Sequence, residues 1–323
     1  ALSTLINLPL SEIYEVATFY AHFNIVKDSK TFNAIKVVRV CESLTCELFG
    51  AQKLLKDIKS LENKSIKVVP GPCMGRCQVA PTVCVGKNYV DNADIESVKK
   101  IIDDKDFEPV IPNYIDLATY IKDGGYIIAK KINDGEITKE KILKLLDDSG
   151  LKGKGGAGFP TGKKWDIVSH YTGKKFVAVN GDEGEPGTFK DRSYLESDPH
   201  RFLEGALIAS YFIDAHKVYI YMRDEYPAVI KILNKEIKKL EEENIIPKNY
   251  FIVRRGAGAY ICGEESAMIE SIEGKRGLPR HRPPYVAEVG LFGCPTLTNN
   301  LETLFWVRDI IERGSEWFAG HGI

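Results

Sequence analysis

The run from Gly150 to Arg192 constrains this chain more than any other stretch of its sequence. It opens on a glycine-rich segment, GLKGKGGAGFPTGKKW at 150–165, crosses an apolar patch at 176–179, and ends on the acidic segment NGDEGEPGTFKDR at 180–192. Glycine lets the backbone press against a ligand, and consecutive exposed N–H groups suit a phosphate. Carboxylates accept hydrogen bonds from sugar hydroxyls. Together the two segments predict a nucleotide or flavin-nucleotide site.

A glycine-rich loop alone is weak evidence, since many such loops bind nothing. The residues Gly155–Gly158 are not by themselves the G-x-G-x-x-G fingerprint, so a standard Rossmann loop is not predicted. The combination of this loop with N-G-D-E-G-E-P-G is more specific. It resembles the FMN- and NADH-binding flavoprotein subunit of respiratory complex I and its relatives in NAD-linked hydrogenases and NAD-linked formate dehydrogenases.

Length and composition place the chain among ordinary globular proteins. Its 323 residues, 44% of them hydrophobic, are expected to form two or three domains. The net charge of −1 gives no electrostatic reason to expect binding to nucleic acid or to an anionic membrane. No apolar run is long enough to cross a bilayer, and an odd number of cysteines favours metal or redox use in a reducing compartment. A cytoplasmic protein without direct membrane insertion is therefore expected.

The first domain, residues 1–104, is predicted to be a small α/β sandwich with an amino-terminal helical segment. Apolar residues at helical spacing predict a helix over Leu10–Phe23. The other predicted elements are strands at Ile35–Val40 and Ile66–Pro70, a hairpin of Thr82–Gly86 with Asn88–Val90, and helices at Glu47–Ile58 and Ile95–Ile102.

Two cysteine pairs follow predicted strands of this domain, at positions 41 and 46 and at positions 73 and 77. Pairs on neighbouring loops can converge, and four thiolates can hold a 2Fe-2S cluster or a tetrahedral zinc. A disulfide or unliganded thiols are the remaining alternatives. A fifth cysteine, Cys84, lies in an apolar strand and is expected to be a small core residue.

The sequences around the pairs narrow this choice. C-E-S-L-T-C at 41–46, C-M-G-R-C at 73–77 and E-V-A-T-F-Y-A-H-F at 15–23 resemble the thioredoxin-like 2Fe-2S ferredoxin of the 24-kDa-type subunit of complex I. The resemblance implies a 2Fe-2S cluster with four ligands, namely Cys41, Cys46, Cys73 and Cys77.

Residues 105–149 are predicted to be a linker with covering helices, and residues 150–323 an FMN/NADH-binding domain. Strands and helices alternate there, which favours a Rossmann-like α/β fold with a largely parallel sheet. Ligands of such sheets lie past the carboxyl ends of the strands, where Asn180 and Gly256 are placed. Related flavoproteins continue into a ubiquitin-like domain and a 4Fe-4S bundle. No C-x-x-C-x-x-C set follows Cys294, so both are expected to be absent from this chain.

Three further segments match the same family. The acidic pair in GAGAYICGEE at 256–265 is placed to favour a helix dipole, and the resemblance adds that this segment lies by the flavin and nicotinamide. RGLPRHRPPY at 276–285 is a basic surface loop on its residues alone, but it resembles the family segment whose tyrosine stacks on adenine. The paired asparagines in PTLTNNLET at 295–303 can cap a helix, and they resemble the flavin contacts of the family.

The resemblance implies a role for each matching residue. The loop cradle is Gly153, Gly155, Gly156, Ala157 and Gly158. FMN is anchored by Asn180, Asp182, Glu183, Asn299 and Asn300. NAD(H) is held by Phe159, Lys164, Glu185, Glu265 and Tyr285, with Glu185 and Glu265 as catalytic candidates. Beside the cofactors lie Tyr260, Gly263, Glu264 and Arg282. A second stacking aromatic, placed by the family three residues after Lys164, is Ile167 here, which predicts a different arrangement around the adenine.

The implied function is that of an NAD(H):FMN oxidoreductase, or diaphorase, which exchanges single electrons with iron–sulfur clusters inside a multi-subunit redox complex. The fused domains and R-G-L-P-R-H-R-P-P-Y-V-A-E-V-G-L-F-G resemble most the β subunit of NAD-dependent formate dehydrogenases. A flavoprotein subunit of an NAD-reducing or bifurcating hydrogenase, or of complex I, is the alternative. From a different class, a zinc-stabilised scaffold without redox activity also remains open. Expected partners are NAD(H), a catalytic formate dehydrogenase or hydrogenase subunit and further iron–sulfur subunits.

Overall fold

The computed structural model describes residues 2–23, 25 and 36–321. The elements of its amino-terminal part are α1 (Leu2–Ile6), α2 (Leu10–Phe19), β1 (Lys36–Cys41), α3 (Leu44–Leu48), α4 (Ala51–Ile58), β2 (Ile66–Gly71), β3 (Val83–Val85), β4 (Asn88–Val90) and α5 (Ile95–Asp103). The four strands form one sheet in the order β2–β1–β3–β4, with β1 parallel to β2 and antiparallel to β3. Valines of β1 and β3 are fully buried against Ile58 of α4 and Val98 of α5.

This arrangement confirms the predicted α/β class, with local differences at element boundaries. The helix predicted over Glu47–Ile58 is two helices, α3 and α4, because Gly50 adopts a φ of 89° between them. The helix predicted to reach Phe23 ends at Phe19. The first residue of the first predicted strand, Ile35, lies outside the described residues.

Three helices connect the two sheets, as predicted for the linker. They are α6 (Leu117–Lys122), α7 (Ile127–Asn133) and α8 (Lys139–Asp148). Their main attachment is the fully buried carboxylate of Glu204, which accepts from the Tyr120 hydroxyl at 2.6 Å and from the N–H groups of Tyr126 at 2.9 Å and Ala129 at 3.2 Å. Glu236, also buried, accepts from the first N–H of α6 at 3.2 Å. The linker is thus fixed to the second domain by buried polar contacts.

The second domain is built on a four-stranded sheet in the order β7–β6–β5–β8, with every neighbouring pair parallel, as predicted. Its elements are α9 (Thr161–Ser169), β5 (Phe176–Gly181), α10 (Lys190–Ser197), α11 (Pro199–Phe212), β6 (Lys217–Met222), α12 (Pro227–Glu242), β7 (Phe251–Arg255), α13 (Glu265–Ile272), β8 (Thr296–Asn300), α14 (Leu301–Phe305), α15 (Val307–Arg313) and α16 (Ser315–Ala319). The apolar run Phe176–Val179 is buried along β5, as expected for a central strand with helices on both faces. None of the helices within residues 2–23 and 36–321 has the length and apolarity that a bilayer crossing needs.

The sheet register brings the polar strand ends together. Asn180 near the end of β5 pairs with Asn300 at the end of β8, and Gly181 pairs with Met222 at the end of β6. Since all the strands run in the same direction, the loops that leave them emerge at one edge. The acidic segment, the segment after β7 and the start of α14 therefore surround the same space.

The Glu204 contact predicts a stability effect. In a Glu204→Gln variant, an amide NH₂ replaces one acceptor oxygen and faces a buried backbone N–H of the linker. We expect the free energy of unfolding to fall by about 1–3 kcal/mol, the cost of leaving a buried donor unsatisfied. Chemical denaturation of this variant and of the exposed control Glu243→Gln measures the effect. Equal stability of the two variants would contradict the role given to Glu204.

Candidate functional site

A cavity of about 640 Å³ opens at the carboxyl edge of the parallel sheet. Small-molecule sites typically enclose about 300–1,000 Å³. The predicted site residues that line this cavity are Gly153, Gly155, Ala157, Gly158, Phe159, Lys164, Asn180, Gly263, Glu264, Glu265, Arg282, Tyr285, Asn299 and Asn300. Segments that lie far apart in the sequence thus meet at one site.

The glycine-rich loop forms one wall and is closed on itself by a hydrogen bond from the Gly153 N–H to the Phe159 carbonyl at 2.9 Å. A Cβ on Gly155 would lie 3.3 Å from the Cβ of Asn300, so the loop approaches β8 closely there. Gly153, Gly155 and Gly158 together do have the G-x-G-x-x-G spacing, which corrects the interpretation based on Gly155–Gly158 alone. The loop nevertheless joins helices α8 and α9, whereas the Rossmann fingerprint joins a strand to a helix.

Three asparagines at the strand ends are held by the protein itself. Asn180 donates to the carbonyl of Gly263 at 2.7 Å, which joins β5 to the turn before α13. Asn299 accepts from the indole N–H of Trp165 at 3.0 Å. Asn300 caps α14 through its side chain, so the helix-capping alternative is confirmed for this residue. These contacts fix the amide groups at the cavity wall without closing the cavity.

The opposite wall is charged. The ammonium of Lys164 donates to the carbonyl of Thr298 at 3.2 Å and lies 3.9 Å from Glu265. Glu265 accepts from the Thr298 hydroxyl at 2.7 Å, and Arg282 pairs with Glu264 and, at 3.1 Å, with Glu265. Burial lowers the pKa of Lys164. Glu264 also caps α13, which bears out the plain helix-start interpretation. Two cations and two carboxylates therefore present a balanced, polar surface to a ligand.

The acidic loop after β5 is arranged differently from the prediction. Glu183 is buried and accepts from the N–H of Asp191 in α10 at 3.0 Å and from the hydroxyl of Tyr226 at 2.9 Å. Glu185 instead accepts from the exposed Tyr260 hydroxyl. The predicted residues that do not line the cavity are Gly156, Asp182, Glu183, Glu185 and Tyr260. Direct ligand contact by these five residues stays a prediction that the structure does not illustrate.

Asp182 is the unusual member of this set. Its N–H donates to the side-chain oxygen of Asn180 at 3.1 Å, and its Oδ2 is buried without a hydrogen-bond partner in the described part of the chain. Burial raises the pKa of this carboxyl to about 7, in spite of the nearby Arg223 cation. A buried polar atom without a partner is rare in native proteins and requires an explanation. Next to a cavity-lining asparagine, it fits a ligand with polar groups, such as the isoalloxazine and ribityl parts of FMN.

Sequence reasoning missed several lining residues, namely Ile167, Tyr171, Ala287, Thr296 and Thr298. Thr296 and Thr298 precede Asn300 at intervals of two along β8, so strand alternation could have identified them. Ile167 stands out in the sequence only because it replaces an expected aromatic residue. Tyr171 follows α9, four positions after Ile167, and no motif marks it.

The four predicted cluster ligands lie in two pairs at the ends of β1 and β2. The sulfur atoms of Cys73 and Cys77 are 3.5 Å apart, and the hydrogen bond with Cys46 holds the pKa of Cys41 far above its ordinary value. All seven cysteines are free, so the disulfide alternative is not supported. The described residues contain no group of three or more metal-ligating side chains placed around a single ion. Two separate pairs fit a 2Fe-2S cluster, in which each iron takes two cysteines, better than a single zinc.

Comparison with protein families agrees with this division. Residues 146–309 match the model of the Nuo51 FMN-binding domain, and residues 1–106 match that of the thioredoxin-like [2Fe-2S] ferredoxin. The first match spans the cavity, and the second spans the two cysteine pairs. The fold class predicted from the sequence is therefore confirmed for both domains.

Relatives of known name are similar over much of the chain. An NADH-quinone oxidoreductase F subunit of Rhizobium meliloti is 46% identical over 231 residues, which are 67% of this chain and 55% of the relative. The corresponding F subunit of Aquifex aeolicus is 48% identical over 64% of this chain and 50% of its own length. An NAD⁺-reducing [NiFe]-hydrogenase structure in the air-oxidized state matches 98% of this chain and 58% of its own, with a TM-score of 0.82 and 30% identity. The chain spans about half the length of the curated relatives it matches.

The buried Asp182 carboxyl predicts a pH dependence of stability in the protein without FMN. Because its pKa rises from 3.8 in the unfolded chain to about 7 in the fold, the folded state holds the proton longer as the pH increases. The free energy of unfolding should therefore decrease between pH 4 and pH 7, by at most about 1.4 kcal/mol per pH unit. Asp182→Asn should remove this decrease, so its advantage over the wild type should grow with pH. The exposed Asp123→Asn control should show no such growth, and parallel pH profiles for all three proteins would contradict the assignment.

The paired cysteines predict a selective effect on iron binding. Cys73→Ser removes one of the two thiolates of its pair, and we expect a loss of most of the bound iron and of the electron paramagnetic resonance signal of the reduced protein. Cys84→Ala alters a buried thiol that donates to the carbonyl of Gly86 instead, and it should retain both. Iron analysis after reconstitution measures the difference. Full iron content in Cys73→Ser would refute the ligand assignment.

Proposed function

This chain belongs to the Nuo51 FMN-binding family, and we propose that it serves as the NAD(H):FMN oxidoreductase part of a larger redox complex. The cavity carries the proposal, because the glycine-rich loop, the strand-end asparagines and a charged wall meet there. The domain matched by the [2Fe-2S] ferredoxin model lies in the same chain. FMN, when bound, supplies the exchange between hydride chemistry and single-electron chemistry.

The FMN-holding residues are proposed from their positions at the cavity. The backbone N–H groups between Gly153 and Gly158 suit the phosphate, since the segment leads directly into α9. The amides of Asn180, Asn299 and Asn300 offer donors and acceptors to the hydroxyls and the ring edge. The partnerless oxygen of Asp182 adds an acceptor, or a donor when it is protonated.

The dinucleotide would occupy the outer part of the same cavity. Phe159 is 40% exposed and Tyr285 58% exposed, although both line the cavity, so each offers a ring face to a flat ligand. Lys164 and Arg282 supply positive charge for the dinucleotide phosphates. Glu265 is held by both cations and by the Thr298 hydroxyl, which fixes its carboxylate where the nicotinamide carboxamide could donate to it. The role of these residues is to position the nicotinamide and exclude water.

The parent complex is proposed from the fused arrangement of the two domains. The segment at 276–293 supports the β subunit of an NAD-dependent formate dehydrogenase, with a catalytic formate-oxidising subunit as the partner. The similarity to an NAD⁺-reducing hydrogenase extends over 98% of the chain and supports a hydrogenase as the second candidate. Affinity purification from the native cells distinguishes the two, because the co-purifying catalytic subunit carries either formate or hydrogen activity.

The diaphorase proposal predicts a direct optical response. Protein reconstituted with FMN, iron and sulfide should lose its flavin absorbance between about 440 and 460 nm when NADH is added without oxygen. A Glu265→Gln, Lys164→Met double variant, which lacks both charges of the inner wall, should respond at least tenfold more slowly at equal FMN content. Stopped-flow absorbance gives both rates. Flavin-loaded wild-type protein that stays oxidised with excess NADH would rule out the proposal.

The stacking role of Tyr285 predicts different effects for two substitutions. Base stacking on an aromatic ring is worth about 1–3 kcal/mol, so Tyr285→Ala should raise the KM for NADH by about five- to a hundredfold. Tyr285→Phe keeps the ring and should stay within about twofold of the wild type. Steady-state rates with an artificial electron acceptor measure both variants. A Phe variant as weak as the Ala variant would show that the hydroxyl, and not the ring, is used.

A further inference from the structure

Arg223 is a buried cation between the two domains that no sequence motif identified. It follows β6 directly and is only 4% exposed. Its guanidinium donates to the backbone carbonyls of Cys73 in the first domain and Glu183 in the second, and to the carboxylate of Glu225 at 3.2 Å. One side chain therefore joins a cysteine loop to the acidic loop that follows β5.

Other contacts bring the same two loops together. The Arg192 guanidinium donates to the carbonyl of Gly75 at 3.0 Å, and the N–H of Gly187 donates to the sulfur of Cys77 at 3.2 Å. A Cβ on Gly75 would lie 2.2 Å from the hydroxyl oxygen of Tyr226, so the segment between the cysteines is tightly packed. The loop of the second cysteine pair thus lies directly against the second domain.

The charge of Arg223 is maintained in this setting. Burial alone disfavours the cation, but the adjacent Glu225 carboxylate raises the pKa of Arg223. Of the other nearby carboxyls, Asp182 has a pKa raised to about 7 by burial, so it is only partly ionised at neutral pH. The guanidinium is consequently a permanent positive charge, hydrogen-bonded to the backbone of a predicted cluster ligand and partly offset by Glu225.

We propose that Arg223 is a positioning residue that docks the Cys73–Cys77 loop on the second domain and raises the reduction potential of the cluster held by that loop. The proposal rests on the cluster assignment made above. Reduction of a 2Fe-2S cluster adds one electron, and therefore one negative charge, without breaking or forming a bond. A fixed cation in a poorly solvated interface stabilises that added charge, whereas an anion opposes it.

The sign of the effect separates this proposal from a purely structural role. Arg223→Met removes the charge and should shift the midpoint potential of the cluster to more negative values. Arg223→Lys keeps the charge but lacks the planar fork, so it should shift the potential less than Met does. Glu225→Gln removes the opposing anion and keeps a hydrogen-bond acceptor, so it should shift the potential to more positive values.

The experiment is a redox titration of the reconstituted full chain, followed by the electron paramagnetic resonance signal of the reduced cluster, with iron content measured for every variant. Glu242→Gln at the exposed end of α12 is the matched control and should leave the potential unchanged. Opposite shifts for Arg223→Met and Glu225→Gln support the proposal. Unchanged potentials, or shifts in the same direction, overturn it.

Two further outcomes are decisive. If Arg223→Met loses its iron, the Glu225→Gln titration alone decides, because that variant retains the docking side chain. A positive shift then supports the electrostatic role, and no shift overturns it. A wild-type chain that takes up no iron overturns both the cluster assignment and this inference, whereas intact cluster signals with equal potentials overturn only the role of Arg223.

Discussion

The parallel pairing of β5 with β6 and β8 is the constraint on which the rest of the structure depends. It places Asn180 beside Asn300 and directs the following loops to one edge of the sheet. The bond from Asn180 to the Gly263 carbonyl then holds the start of α13 at that edge, so that Glu265 faces the same cavity. Because the apolar part of β5 is buried on both faces, a shift of its register would expose core residues and move the asparagines away from the cavity.

The acidic loop after β5 has a structural task as well as its place near the cavity. Glu183 accepts from the start of α10 and from Tyr226, and its own carbonyl accepts from Arg223. These bonds hold the loop in a form that also supports the Cys73 backbone. The same few residues therefore define the edge of the ligand cavity and the contact between the two domains, so a change on one side is expected to be felt on the other.

Much of this could be predicted from the sequence, because the decisive signals are local. Strand and helix periodicity indicated the parallel sheet, and the cysteine spacing indicated the two ligand pairs. The glycine-rich loop and the paired asparagines identified most of the cavity wall. Prediction failed where the outcome depends on tertiary contacts. Glu183 looks like a surface carboxylate in the sequence, but Tyr226 and α10 bury it. Arg223 carries no motif, since its importance comes from a carbonyl in the other domain.

The central claim is that one polypeptide provides a flavin cavity and, packed against it, a four-cysteine site for a two-iron cluster. Native mass spectrometry of the reconstituted full chain tests this most directly, because it counts bound groups on individual molecules. The account predicts a major species that carries about one FMN, about two irons and about two sulfides together. A chain that holds a single zinc at the cysteines and no flavin would contradict it.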